Sequence, residues 1–329
     1  MNVVRDPIRY GFATGRARVL ETRLLSRSAF ERLLDAPDFR DQQRILSETP
    51  YGGHLEGVST ADGVERALDA SLSEVYSDFL ERANLPESLI DFFRAQHEFA
   101  NLRAALKAEV LGIPAIEMAD PLALTSVEDF ATGVGLSREM AEARASARRL
   151  ASLDNETIQA DLIDQAVDTT LYAWAGVLAA RSGSKFLVSL VESMADLGNI
   201  KAFLRARSKG LAVAVAEQYF VPGGSIPESR FVSMYRAPIV EAATALASQR
   251  MFSGLDAEAL LDPNRFDVVA ERVLSRVLRE ARMVAIGPEP VVAYAMTRRA
   301  EVSVLRALLI GRLAGADTDV LRERLRDVV

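Results

Sequence analysis

Glu98-Phe99-Ala100-Asn101-Leu102-Arg103-Ala104-Ala105-Leu106-Lys107 is a stretch that closes at Gly112. It returns as Asp196-Leu197-Gly198-Asn199-Ile200-Lys201-Ala202-Phe203-Leu204-Arg205, closing at Gly210. A third copy reads Glu301-Val302-Ser303-Val304-Leu305-Arg306-Ala307-Leu308-Leu309 and closes at Gly315. In each copy the base follows the acid by five residues, and the glycine follows the base by nine. Phe99, Leu102 and Leu106 share one helical face, as do Leu197, Ile200 and Leu204, and Val302, Leu305 and Leu309. A closing glycine suits a helix C-terminus, where a left-handed residue lets the last carbonyls find partners. The third copy departs from the pattern by placing Val304 where the others have asparagine. The acids lie 98 and 105 residues apart, so the repeat predicts three helical units, at 1–120, 121–222 and 223–329. The three long helices are expected to be related by a rough threefold rotation about a central cavity.

Acid and base within a copy are not a local pair. At about 100° per residue, a spacing of five sets them roughly 140° apart around the helix. That misses the three- and four-residue spacings at which side chains meet. Glu98, Asp196 and Glu301 are therefore expected beside a base of an adjacent helix, with Arg103, Lys201 and Arg306 of other units as candidates; the alternative is that these groups are simply solvated.

Outward from the repeat the whole chain reads as helix. Apolar residues recur every three or four positions over about 12–34, 61–83, 87–111, 137–151, 156–181, 184–208, 230–249, 264–284, 288–312 and 317–327. Breakers separate these segments: Pro37, Pro50 with Gly52 and Gly53, Pro86, Pro114, Pro121, Pro222-Gly223-Gly224, Pro227 and Pro263. Gly287-Pro288-Glu289 has the form of a helix start, with proline at the first position and an acid at the positive end of the dipole. The nearest strand candidate, Leu211-Ala212-Val213-Ala214-Val215, is weakened by its alanines. The predicted fold class is all-α.

Composition narrows the function. The chain has 329 residues, 49% apolar and 26% charged, which is the balance of a folded protein. Its net charge of −7, with Lys and Arg interleaved among acids, argues against nucleic acid as a partner. There is no cysteine, so disulfides, iron–sulfur clusters and thiolate zinc sites are excluded. The only histidines are His54 and His97, without a metal-binding spacing around them. No Gly-x-Ser-x-Gly elbow appears, and Gly11-Phe12-Ala13-Thr14-Gly15-Arg16 lacks the lysine–hydroxyl pair of a phosphate loop. Trp174 is expected in the core. The first residues lack the apolar core of a signal peptide. The weakly polar run Ala166–Ala180 falls short of the ~20 residues that span a bilayer, so no transmembrane segment is expected. No catalytic, cofactor or metal residue is assigned. The candidates are structural and interface residues: Glu98, Asn101, Arg103, Asp196, Asn199, Lys201, Glu301 and Arg306.

The sequence resembles a known family, the C subunits of the V/A-type ATPase/synthases, whose counterpart in the eukaryotic vacuolar enzyme is the d subunit. Tyr10-Gly11-Phe12-Ala13 with Arg16, Arg18-Val19, Glu21 and Leu24-Leu25 is similar to that family's N-terminal signature. Phe30-Glu31-Arg32-Leu33-Leu34 and Leu46-Ser47-Glu48-Thr49-Pro50-Tyr51-Gly52 match the next stretch. The C-terminal match is Gly287-Pro288-Glu289-Pro290-Val291-Val292-Ala293-Tyr294, followed by Glu301 and Leu305-Arg306. The resemblance implies a funnel-shaped, pseudo-threefold helical protein without an active site or cofactor. It implies a central-stalk position on the cytoplasmic face of the membrane, between the D and F rotor subunits and the proteolipid (c/L) ring. There the protein would transmit torque for ATP-coupled proton or sodium transport. The competing expectation is a helical scaffold or adaptor unrelated to ATPases. Helical solenoid repeats usually run about 30–45 residues, and the longer period here argues against it.

Overall fold

The computed structural model describes residues 7–77, 82–112, 114, 119–151, 160–255, 260–262, 265–318 and 321–322. Among these residues the chain is all-α, with no strand. In order the helices are α1 (Pro7–Glu21), α2 (Arg27–Asp35), α3 (Phe39–Leu46), α4 (Gly52–Leu55) and α5 (Ala61–Val75). Then come α6 (Glu87–Leu111), α7 (Val127–Thr132), α8 (Arg138–Ala151), α9 (Ala160–Ser182) and α10 (Lys185–Ser208). The last five are α11 (Val213–Glu217), α12 (Glu228–Arg236), α13 (Ile239–Ala247), α14 (Phe266–Arg282) and α15 (Pro288–Leu313). Most of the segment expected at 317–327, and Pro263 among the breakers, lie outside the described residues.

The three repeat segments sit in the three longest helices, α6, α10 and α15. All nine apolar positions of the repeat are buried. Gly112, Gly210 and Gly315 each follow their helix with φ of 66°, 65° and 71°, the left-handed ending that glycine adopts without steric cost. α15 begins with Pro288 at its first position.

Two expected helices are divided, each for a local reason. The segment 12–34 breaks because Ser26 caps α2, its hydroxyl accepting the N–H of Ala29. The segment 230–249 breaks at Pro238, which has no N–H to donate and opens α13 instead. Short helices that the periodicity did not reveal, α3, α4, α7 and α11, hold one or two turns each. α11 takes up most of the run considered as a strand.

By contacts the chain forms two compact units, Pro86–Asp267 and a second that joins Met1–Leu85 to Val268–Val329. Repeat spacing and compactness divide the chain differently, because the third long helix gathers the N-terminal segment around itself. In that unit α15 packs against α1, α3 and α5. In the other, α6 packs on α7 and α9, and α9 also meets α8 and α10. Phe99, Leu102, Phe130, Ile163 and Val167 centre the core there. Fully burying a side chain of this kind contributes about 1.5–3 kcal/mol. Trp174, expected in the core, is partly buried and packs edge-on against Phe99 of this cluster, ring centroids 5.9 Å apart.

Candidate functional site

Each repeat acid is buried, and each ends on backbone N–H groups of a loop. The N–H groups of Leu124 and Thr125 donate to the two oxygens of Glu98 at 2.7 and 3.1 Å. Asp196, fully buried, accepts from the N–H and hydroxyl of Ser225 at 3.0 and 2.6 Å and from the N–H of Ile226 at 3.0 Å. Glu301 accepts from the N–H of Leu25 at 2.6 Å. Thr125, Ile226 and Leu25 each directly precede the N-cap residue of a short helix, namely Ser126 of α7, Pro227 of α12 and Ser26 of α2. One carboxylate in each copy thus fixes where the following short helix begins. The third copy follows the rule with a partner from the start of the chain.

The asparagines add a second tie. The side-chain amide of Asn101 donates to the carbonyls of Asp120 and Thr125, while the N–H of Asp120 donates back at 2.6 Å. Asn199 makes the corresponding pair with Val221, donating to its carbonyl and accepting its N–H, both at 2.7 Å. In both copies the clamped residue stands five positions before the N–H that meets the acid. In the third copy that position is Leu20, within α1, whose carbonyl already accepts from Arg23. Helical backbone satisfies itself, so an asparagine has nothing to hold and Val304 is accommodated.

The bases act elsewhere. Arg103 pairs with Asp164 at 3.1 Å and with Asp168, all partly buried between α6 and α9. Lys201 pairs with Asp267 at 2.5 Å. Arg306 pairs with Glu65 and, at 2.6 Å, with Asp69 on α5. The expected pairing of Glu98, Asp196 and Glu301 with these bases does not form. Desolvating a long cation beside each buried acid is costly, and loop N–H groups that need acceptors answer the carboxylates instead. Among the described residues Glu301 alone of the three acids has a base, and it comes from its own helix. Arg298 donates to Oε1 at 2.6 Å, the Tyr51 hydroxyl donates there at 2.5 Å, and the guanidinium lies 4.1 Å above the Tyr51 ring. Burial, reinforced by the Glu301 charge, pushes the Tyr51 phenol well above its ordinary range, so its proton stays in that bond.

Sequence pattern alone does not single out Leu25, Tyr51, His97, Asp120 or Arg298. Leu25 contributes only its backbone, which leaves no trace in side-chain pattern. His97, next to Glu98, sits 2.8 Å from the carboxylate of Asp120 and gives the first loop a further tie. The signal for Arg298 is an arginine three residues before the acid on a face otherwise apolar. Burial, with Arg103 opposing it, raises the Asp168 carboxyl above the usual range. Tyr172 beside it is pushed up to about 12, by burial first and Asp168 second. Among the described residues no helix is long and apolar enough to cross a membrane, and no group of three or more His, Asp or Glu is arranged to hold a metal.

What this architecture belongs to is decided by comparison. Residues 13–324 match the ATP synthase (C/AC39) subunit family. The chain belongs to that family. It is similar to the C subunit of the A-type ATP synthase of Thermococcus onnurineus, 25% identical over 345 residues that cover 97% of this chain and 90% of the relative. It is also similar to the C subunit of the V-type sodium ATPase of Enterococcus hirae, at 24% identity over 95% of this chain and 96% of the relative. With the C subunit of the A-type ATP synthase of Thermococcus gammatolerans the identity is 27%, over 68% of this chain and 64% of that protein's length. The resemblance to the C subunits of the V/A-type enzymes is borne out, and an adaptor unrelated to ATPases is set aside.

Proposed function

We propose that this chain is the central-stalk coupling protein of a rotary V/A-type ATPase/synthase, joining the D/F rotor shaft to the membrane proteolipid ring from the cytoplasmic face. It carries torque between ATP turnover and ion movement and performs no chemistry of its own. The units 1–120, 121–222 and 223–329 form a pseudo-threefold funnel, with the loops near Gly112–Asp120, Gly210 and Gly315 toward the ring. Residues 113 and 115–118 of the first loop lie outside the described residues.

The observation that carries this reading is the threefold repetition of one anchor, a buried carboxylate on a long helix holding the N–H before a short helix. A torque-bearing joint needs several equivalent, stiff contacts, because a single hot spot acts as a pivot. Stable interfaces of this kind bury over ~1,200 Å² in total. Glu98, Asn101, Asp196, Asn199 and Glu301 stiffen the frame from inside. Arg103, Lys201 and Arg306, half-exposed on the same helices, tie them to acids of neighbouring segments.

Reconstitution tests the proposal. Vesicles carrying the full enzyme should pump ions on ATP addition, and vesicles assembled without this chain should lose pumping while the catalytic head still hydrolyses ATP. Undiminished pumping without the chain overturns the coupling role. Calorimetry of the isolated chain should detect no micromolar ATP binding, and a defined nucleotide site overturns the non-catalytic role.

A further inference from the structure

Within the Pro86–Asp267 unit, α10, α11, α12 and the turn after α11 surround a small cavity of about 30 Å³ that is open to solvent on one side. Five aromatic rings line it, those of Phe203, Tyr219, Phe220, Phe231 and Tyr235, together with Glu217 and Glu228. Phe220 and Phe231 lie 5.4 Å apart at 55°, and Phe203 and Tyr235 lie 5.5 Å apart at 81°. Tyr235 is fixed by its hydroxyl, which donates to the Leu211 carbonyl at 2.7 Å. Among the described residues no base lines the cavity. Glu217 reaches Arg236 only at 3.8 Å, on the surface, and Glu228 is exposed without a partner among the described residues.

The other two copies of the repeat separate what the fold requires from what it does not. Five positions after the N–H that meets the repeat acid, Phe231 corresponds to Phe130 and Phe30, and all three are buried. That ring belongs to the common core. The others are particular to the second copy. Phe203 stands where the other copies have Ala105 and Leu308. Tyr219-Phe220 stands where they have Met118-Ala119 and Arg18-Val19, and Tyr235 where they have Val134 and Leu34. Glu217 stands in place of Ile116 and Arg16, and Glu228 in place of Val127 and Arg27. Four rings and both carboxylates thus gather at one cavity without a counterpart in the rest of the chain's own repeat.

We propose that this cavity binds a small aliphatic ammonium ion, its charged head against the ring faces and the carboxylates of Glu217 and Glu228, its hydrocarbon tail toward the mouth. A cation over aromatic faces is attracted by their quadrupoles, more strongly where water is displaced. The volume exceeds the roughly 10–15 Å³ that admits one water molecule, so a single head group has room. Two carboxylates with no base beside them select against an anion. The site is separate from the coupling role and does not depend on it.

The probe is n-butylammonium, titrated into the intact chain and followed by backbone amide shifts in NMR, with 1-butanol and butyrate as comparison arms. Butylammonium should shift the amides of Tyr219, Phe220 and Phe231 and saturate in the millimolar range, while butanol and butyrate should not saturate. Glu228→Gln should weaken binding about fivefold by removing charge, and Phe220→Leu about fivefold by removing a ring face while keeping apolar bulk. Melting temperatures should be preserved. The absence of saturable shifts with butylammonium, equal binding of butanol or butyrate, or unchanged affinity in Glu228→Gln overturns the proposal. Should Phe220→Leu fail to fold, Glu228→Gln decides alone, since its side chain is exposed.

Discussion

At the residue scale, the repeat's acid and base have opposite weights. Asp196 accepts three hydrogen bonds in full burial, and a buried donor left without its acceptor costs about 1–3 kcal/mol. Asp196→Ala should lower unfolding free energy by about 3 kcal/mol or more in urea denaturation. Lys201→Met, at a half-exposed pair, should cost no more than about 1 kcal/mol in the same measurement. Tyr172 supplies a pH signature. Its folded pKa stands at about 12, above the ordinary 10.0. Its contribution is fully present below the ordinary value and lost as pH rises from there through about 12. Ultraviolet difference titration should show one late-ionising phenol fewer in Tyr172→Phe than in the parent. That variant's stability should also fall less steeply across the same window.

At the scale of elements, what was legible depended on which atoms carried the information. The long helices at 87–111, 184–208 and 288–312 could be read nearly to the residue, because a dozen or more side chains report each period and a glycine marks each end. The short helices α3, α7 and α11 hold too few turns for a period to emerge. The repeat's acids were visible, but their partners were not, since Leu124, Thr125, Ile226 and Leu25 take part through main-chain N–H groups that any residue has. The acid–base pairing expected from charge alone was displaced by that unseen backbone. Gly224 reports the same anchor from the loop side. A methyl group added there would fall well inside contact distance of Asp196 Oδ1. Gly224→Ala should therefore displace the carboxylate from its N–H partners, costing about 1–3 kcal/mol. Hydrogen exchange should show Ser225 and Ile226 losing protection first. Asn199→Val should unpin Val221 and raise exchange there, whereas Val304→Asn should leave exchange at Leu20 unchanged, because α1 already bonds its own backbone.

At the scale of the molecule, the unit built around α15 draws on both ends of the chain: Leu25, Tyr51 and Asp69 meet Glu301 and Arg306 across more than 230 positions. The order of manufacture matters for such a unit. The ribosome releases the segment holding α1 to α5 well before the helix that satisfies its main chain and covers its apolar sides, which follows more than 200 residues later. At about 5–20 residues per second, that segment waits many seconds, while Pro86–Asp267 has all its own sequence in hand earlier. The nascent N-terminal segment is thus the natural client of a chaperone. A chain arrested after residue 286, still on the ribosome, should be cut by protease throughout 27–75 and resist cutting within α6, α9 and α10. Release of the full chain should then protect 27–75 in a single step, once α15 arrives.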